Sequence, residues 1–80
     1  MEQKFKQDIS IGNNLRLLRE KNNFTQEQVA VKLQVLGLPV SREIISQMER
    51  GVYSIRISVF LALKKIYKAE YADFFKEVDQ

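Results

Sequence analysis

Residues 41–51, Ser41-Arg42-Glu43-Ile44-Ile45-Ser46-Gln47-Met48-Glu49-Arg50-Gly51, carry the most specific hydrogen-bonding chemistry in this chain of 80 residues. At about 100° per helical residue, Ile44, Ile45 and Met48 fall within one arc, and Arg42, Glu43, Ser46, Gln47 and Arg50 occupy the opposite one. A glutamine amide pairs bidentately with adenine, a guanidinium pairs with guanine, and a carboxylate accepts from the cytosine amino group. The polar arc lacks the Lys–Glu ladder at i,i+4 that decorates an ordinary solvated helix. Enzymatic chemistry is poorly provided for. The chain has no histidine and no cysteine, which removes disulfides, thiolate metal sites, cysteine nucleophiles and the usual general base. No nucleophile–base pair stands out, and the carboxylates lack metal-loop spacing. We therefore expect no enzyme, no metal and no cofactor.

Positioning that arc requires a fold, and the apolar spacing predicts five helices. The first spans about residues 10–22, with Ile11, Leu15 and Leu18 on one face. Asn22-Asn23 ends it. Thr25 opens the second as an N-cap, with Gln28 completing a capping box and Phe24 placed to staple onto Val29. Val29, Ala30, Leu33 and Leu36 form its expected buried stripe; Gly37 caps its end and Pro39 forbids continuation. Ser41 caps the third helix, which runs to Gly51. The fourth, about Arg56 to Lys68, is apolar almost all round. The fifth, about Glu70 to Val78, sets Tyr71, Phe74, Phe75 and Val78 against a polar face, and Phe74 and Phe75 are expected inside. The expected fold class is all-α: a compact five-helix domain over residues 9–80, preceded by an N-terminal arm of residues 1–8.

Thirteen Lys plus Arg against ten Asp plus Glu leave a net charge of +3. That sign suits a polyanion, because neutralised phosphates release condensed counterions. No apolar run approaches the ~18 residues of a membrane span, and the first residues lack the apolar region of a signal peptide. A cytoplasmic protein is expected.

The stretch from Asn14 to Ala30, followed by Ser41 to Gly51, resembles the lambda-repressor-like, Cro-type helix-turn-helix family of regulators. The most specific pieces are Thr25-Gln26-x-x-Val29-Ala30 and Ile45-Ser46-x-x-Glu49-Arg50-Gly51, with Asp73-Phe74-Phe75 similar to the family's last helix. The resemblance covers roughly residues 9–76. It implies a helix-turn-helix formed by the second and third helices, with the third in the major groove of double-stranded DNA. By that resemblance, Arg42, Glu43, Ile44, Ser46 and Gln47 would read bases. Thr25 and Gln26, at the N-terminus of the second helix, would hold a phosphate. Arg50, Tyr53, Ser54 and Arg56 would hold the next ones. Arg19 and Glu49 resemble the family's internal ion pair. Glu43 also suits the first turn of a helix for its dipole alone. Ile44 divides between a thymine methyl and the core, and Tyr53 between phosphate and surface packing.

The sequence departs from the family in the connection from Thr25 to Ser41, which is longer than a short turn. The surplus, Gln34-Val35-Leu36-Gly37-Leu38, is expected to lengthen the second helix and add a loop. The main expectation is a transcriptional regulator, a repressor, binding DNA as a homodimer. The alternative is a protein-interaction or antitoxin-like module that keeps the helical fold, favoured by the outward Val31 and Val35.

Overall fold

The computed structural model describes residues 4–5 and 10–77. Its helices are α1 (Gly12–Lys21), α2 (Gln26–Val35), α3 (Arg42–Glu49), α4 (Ile57–Ile66) and α5 (Tyr71–Phe74). Local chemistry accounts for the starts. The Thr25 hydroxyl accepts from the Gln28 N–H at 3.1 Å while the Gln28 side chain accepts from the Thr25 N–H at 2.8 Å, so the capping box closes both ways. Ser41 accepts from the Ile44 N–H at 3.2 Å and opens α3. Each cap satisfies donors that a helix start otherwise leaves orphaned.

The four long helices all end the same way. After α1 the Phe24 and Asn23 N–H groups donate to the Arg19 and Glu20 carbonyls; after α2 the Leu38 and Gly37 N–H groups donate to Leu33 and Gln34. Val52 and Gly51 close α3 onto Gln47 and Met48, and Ala69 and Lys68 close α4 onto Lys64 and Lys65. These are Schellman motifs, and each puts one residue in the left-handed region: Asn23, Gly37, Gly51 and Lys68. The Gly37 cap, at φ +82°, stops α2 one turn short of Pro39.

The helices enclose one core. Leu15 and Leu18 of α1, Val29 and Leu33 of α2, Ile45 and Met48 of α3, Val59, Phe60 and Leu63 of α4, and Phe74 of α5 are all buried. Burial of each such side chain contributes about 1.5–3 kcal/mol against chain entropy. A short feature interrupts the all-α plan. Strands β1 (Lys4–Phe5) and β2 (Ile55–Arg56) pair antiparallel, with Lys4 opposite Arg56 and Phe5 opposite Ile55. Two arm residues therefore pair onto the segment that follows α3; the rest of the arm lies outside the described residues.

Two expectations, for Leu36 and for the last helix, need correction, and α4 shows a surface the sequence did not assign. Leu36 is exposed, because the helical period ends at Val35 and the cap turns Leu36 away from the core. On α4, Ile57 and Leu61 are exposed, so its apolar face is wider than the core it covers. The last helix is a single turn, and Phe75 is 48% exposed. The chain leaves helical geometry after Phe74: Glu77 takes a left-handed φ of +59°, and Asn14 Nδ2 of α1 donates to the Phe74 and Lys76 carbonyls, both at 2.9 Å, holding the non-helical end in place. Val78 itself lies outside the described residues.

Candidate nucleic-acid interface

One face of α3 is committed to the core. Ile45 and Met48 are buried and Ile44 is half-buried against them. Arg42, Glu43 and Arg50 are exposed, and Ser46 and Gln47 are half-buried. These five polar side chains occupy an arc of about 140° at helical spacing. Arg42 Nη2 lies 3.3 Å from Glu43 Oε2, with both side chains more than half exposed. An exposed pair of this kind is worth little, so both groups stay available to a ligand.

Several contacts fix α3 relative to α1 and α2. Glu49, whose side chain is only 5% exposed, accepts at Oε2 from Arg19 Nε at 2.7 Å and at Oε1 from Arg19 Nη2 at 3.0 Å. The pairing is bidentate, the geometry in which a guanidinium binds a carboxylate most strongly. The hydrogen bond to Glu49 raises the Arg19 pKa above its usual value, against an opposing effect of burial. Arg19 Nη1 also donates to the Phe24 carbonyl at 2.9 Å, so the same guanidinium secures the turn into α2. Tyr67 is buried close by; desolvation pushes its hydroxyl pKa up, the Glu49 carboxylate adds to this, and Arg19 opposes it.

Gly12 sets the spacing between α1 and α3. A Cβ there would lie 2.3 Å from the Glu49 carbonyl oxygen and 2.8 Å from that of Met48. Only a glycine lets the start of α1 approach the end of α3 this closely. At the other end of α1, Asn22 Nδ2 donates to the Leu18 carbonyl at 2.8 Å and the Tyr67 carbonyl at 3.0 Å, tying α1 to the end of α4.

The candidate phosphate-holding residues lie around this frame. Thr25 is exposed at the N-terminus of α2, and Gln26 beside it is half-buried. The backbone N–H groups of Gln26 and Glu27 have no acceptor among the described residues, as at the start of any helix. Arg50 closes α3 and is exposed; Tyr53 is exposed, and Ser54 and Arg56 are half-buried in the segment before α4. Gln26 has a second engagement that sequence reasoning missed: its Nε2 donates to Glu49 Oε1 at 3.1 Å. No periodicity signals that contact, because it joins residues on two helices. Gly12 carried a usable signal, since a glycine inside a helical pattern costs about 1 kcal/mol against alanine. Asn14 and Asn22 carried none.

Among the described residues no three carboxylates gather as a metal site, and no helix is long and apolar enough to cross a membrane. A family model described as helix-turn-helix matches residues 15–74, most of the chain. No curated protein and no solved structure matches it significantly. With the matched region running from within α1 to the end of α5, the chain belongs to the lambda-repressor/Cro-like helix-turn-helix family of DNA-binding transcription regulators.

Proposed function

We propose that the protein is a sequence-specific repressor that binds duplex DNA as a homodimer in the cytoplasm, with α3 in the major groove. The observation that carries this reading is the division of α3. Its apolar face is locked to α1 and α2, while Arg42, Glu43, Ser46 and Gln47 lie on the opposite arc. A firmly held helix with accessible donors and acceptors is what base readout requires. Ile44, half-buried, offers an edge to a thymine methyl. Thr25 and Gln26 hold one phosphate at the start of α2, and Arg50, Tyr53, Ser54 and Arg56 hold the next. Residues 9–80 act as one domain, and the arm of residues 1–8 accompanies it. The protein works by binding and not by catalysis.

Selection of bound duplexes from a random pool tests this reading. A palindromic consensus with two short half-sites supports both base readout and dimerisation. Recovery of duplexes with no shared sequence sinks the claim of specificity.

A second reading has its own observation. Val31, Val35 and Leu36 are exposed along α2 and its cap, Val35 by 80%. Exposed apolar side chains on one helix favour a protein partner, as in an antitoxin-like module. Absence of salt-dependent duplex binding would favour that reading, because counterion release makes DNA affinity fall steeply with salt.

A further inference from the structure

Glu49 touches side chains from both of the other helices that frame the motif. Its carboxylate takes two N–H groups from Arg19 of α1 and one from Gln26 of α2. Gln26 is the first residue of α2, at the end where a DNA phosphate is proposed to sit. A primary amide nitrogen carries two protons. One goes to Glu49 Oε1 at 3.1 Å; the other has no acceptor among the described residues. The carboxylate also decides which way the amide faces. Rotated by half a turn, Gln26 would bring its carbonyl oxygen against an anionic oxygen, and the contact would turn repulsive.

We infer that Glu49 is a positioning residue for DNA binding: it holds the Gln26 amide so that the second N–H is presented to a backbone phosphate. This rests on the phosphate role proposed above for Gln26. The Arg19–Glu49 pair then does more than pack α1 against α3. It holds the carboxylate in place, and that carboxylate orients a neutral donor at the edge of the interface. Gln26 carries no charge, so its contact adds affinity without a further released counterion. The orientation exists before DNA arrives, so binding does not have to freeze a free side chain.

The test reads individual phosphates. Duplexes with a single methylphosphonate, which neutralises one phosphate, are scanned along a selected binding site. Gln26→Met should lower affinity about tenfold and clearly reduce sensitivity to one phosphate per half-site, the loss of one hydrogen bond to a charged group while Thr25 and the backbone N–H groups remain. Glu49→Gln should reduce sensitivity to the same phosphate, and the double variant should bind no worse than Gln26→Met. A merely structural Glu49 would weaken binding while leaving that phosphate's effect in place, and this result overturns the inference. If no phosphate depends on Gln26 although duplex binding is intact, the phosphate reading fails and the inference fails with it. Should Glu49→Gln not fold, the Gln26 side-chain amide in the free wild-type protein decides by NMR. One proton protected from exchange supports the bond to Glu49; two equally exposed protons refute it.

Discussion

Gln47 and Arg50 stand three residues apart on α3, yet their chemistry separates them. Gln47 is half-buried on the arc opposite Ile45 and Met48, where an amide can meet a base edge; Arg50 is the exposed C-cap. Gln47→Ala is expected to weaken binding to the best site by about 1–3 kcal/mol and to relax preference at one base pair per half-site. Arg50→Ala should weaken all duplexes alike and reduce the salt slope by about one. Both variants keep the backbone bonds that close α3, so circular dichroism should find both folded. Equal losses on specific and random duplexes for both variants would mean that α3 does not read bases. Tyr67 supports a prediction of a different kind. Its folded pKa is raised above the usual 10.0, chiefly by burial, so the stability it contributes is complete below about pH 10. That contribution is lost as pH rises further, because only the unfolded chain releases the proton readily. Denaturation at pH 8 and pH 11 should show the wild type losing more stability than Tyr67→Phe; parallel losses would refute the assignment. The sequence shows the types and spacing of the residues on α3, since helical periodicity fixes which side chains share an arc. It does not show that Asn14, Asn22 and Gln26 tie helices together, because hydrogen bonds across 62, 45 and 23 positions leave no local pattern.

The helices were legible where their ends carry their own chemistry. Thr25 with Gln28, and Ser41 alone, mark their caps in sequence and form them in the structure. Gly37 and Gly51 likewise announce the stops of α2 and α3. Lys68 announces nothing, because lysine has no preference for the left-handed conformation it adopts at φ +52°. A residue with a Cβ in that region costs about 1–2 kcal/mol, and glycine avoids the cost while giving the unfolded chain more freedom. Lys68→Gly should therefore raise stability by about 0.5–1 kcal/mol, measured by urea denaturation, with no change in the slope. A loss of stability would show that the Lys68 side chain contributes more at this position than its backbone strain removes. The one-turn α5 escaped sequence reading for another reason. Its apolar spacing continues past Phe74, but the backbone turns at Glu77 with φ +59° and the Phe74 and Lys76 carbonyls bond to the side chain of Asn14. Periodicity reports which faces are apolar, and it cannot report where the backbone is held by a distant amide.

For the whole molecule, the unexplained surface is the face shared by α4 and α5. Ile57 and Leu61 are exposed on α4, and Tyr71 and Phe75 on α5. The Phe60 ring lies 6.2 Å from both the Tyr71 and the Phe75 ring, which joins the two helices into one aromatic surface. The sequence placed Phe75 inside because a helical pattern cannot distinguish a face buried in its own core from one awaiting a partner. The molecule measures 36 × 32 × 21 Å. Half-sites one helical turn apart are centred about 34–36 Å from each other, so two copies side by side match that spacing. A single α3 of eight residues is about 12 Å long and reaches few base pairs, which gives a regulator reason to dimerise. Phe75→Glu introduces a charge on this face without touching the buried Phe74, so the fold should survive, as thermal unfolding would show. If the proposed dimer forms through this face, sedimentation should find a dimer for the wild type and a monomer for this variant, whose affinity for a palindromic site should fall to that for an isolated half-site. The expected loss is large, because a dimer binds its second half-site at the high effective concentration set by the first. A wild type that stays monomeric at high concentration and on DNA would remove the dimer. A Phe75→Glu variant that still dimerises would keep the dimer but move its contact off the α4–α5 face, leaving the exposed valines of α2 as the next surface to change.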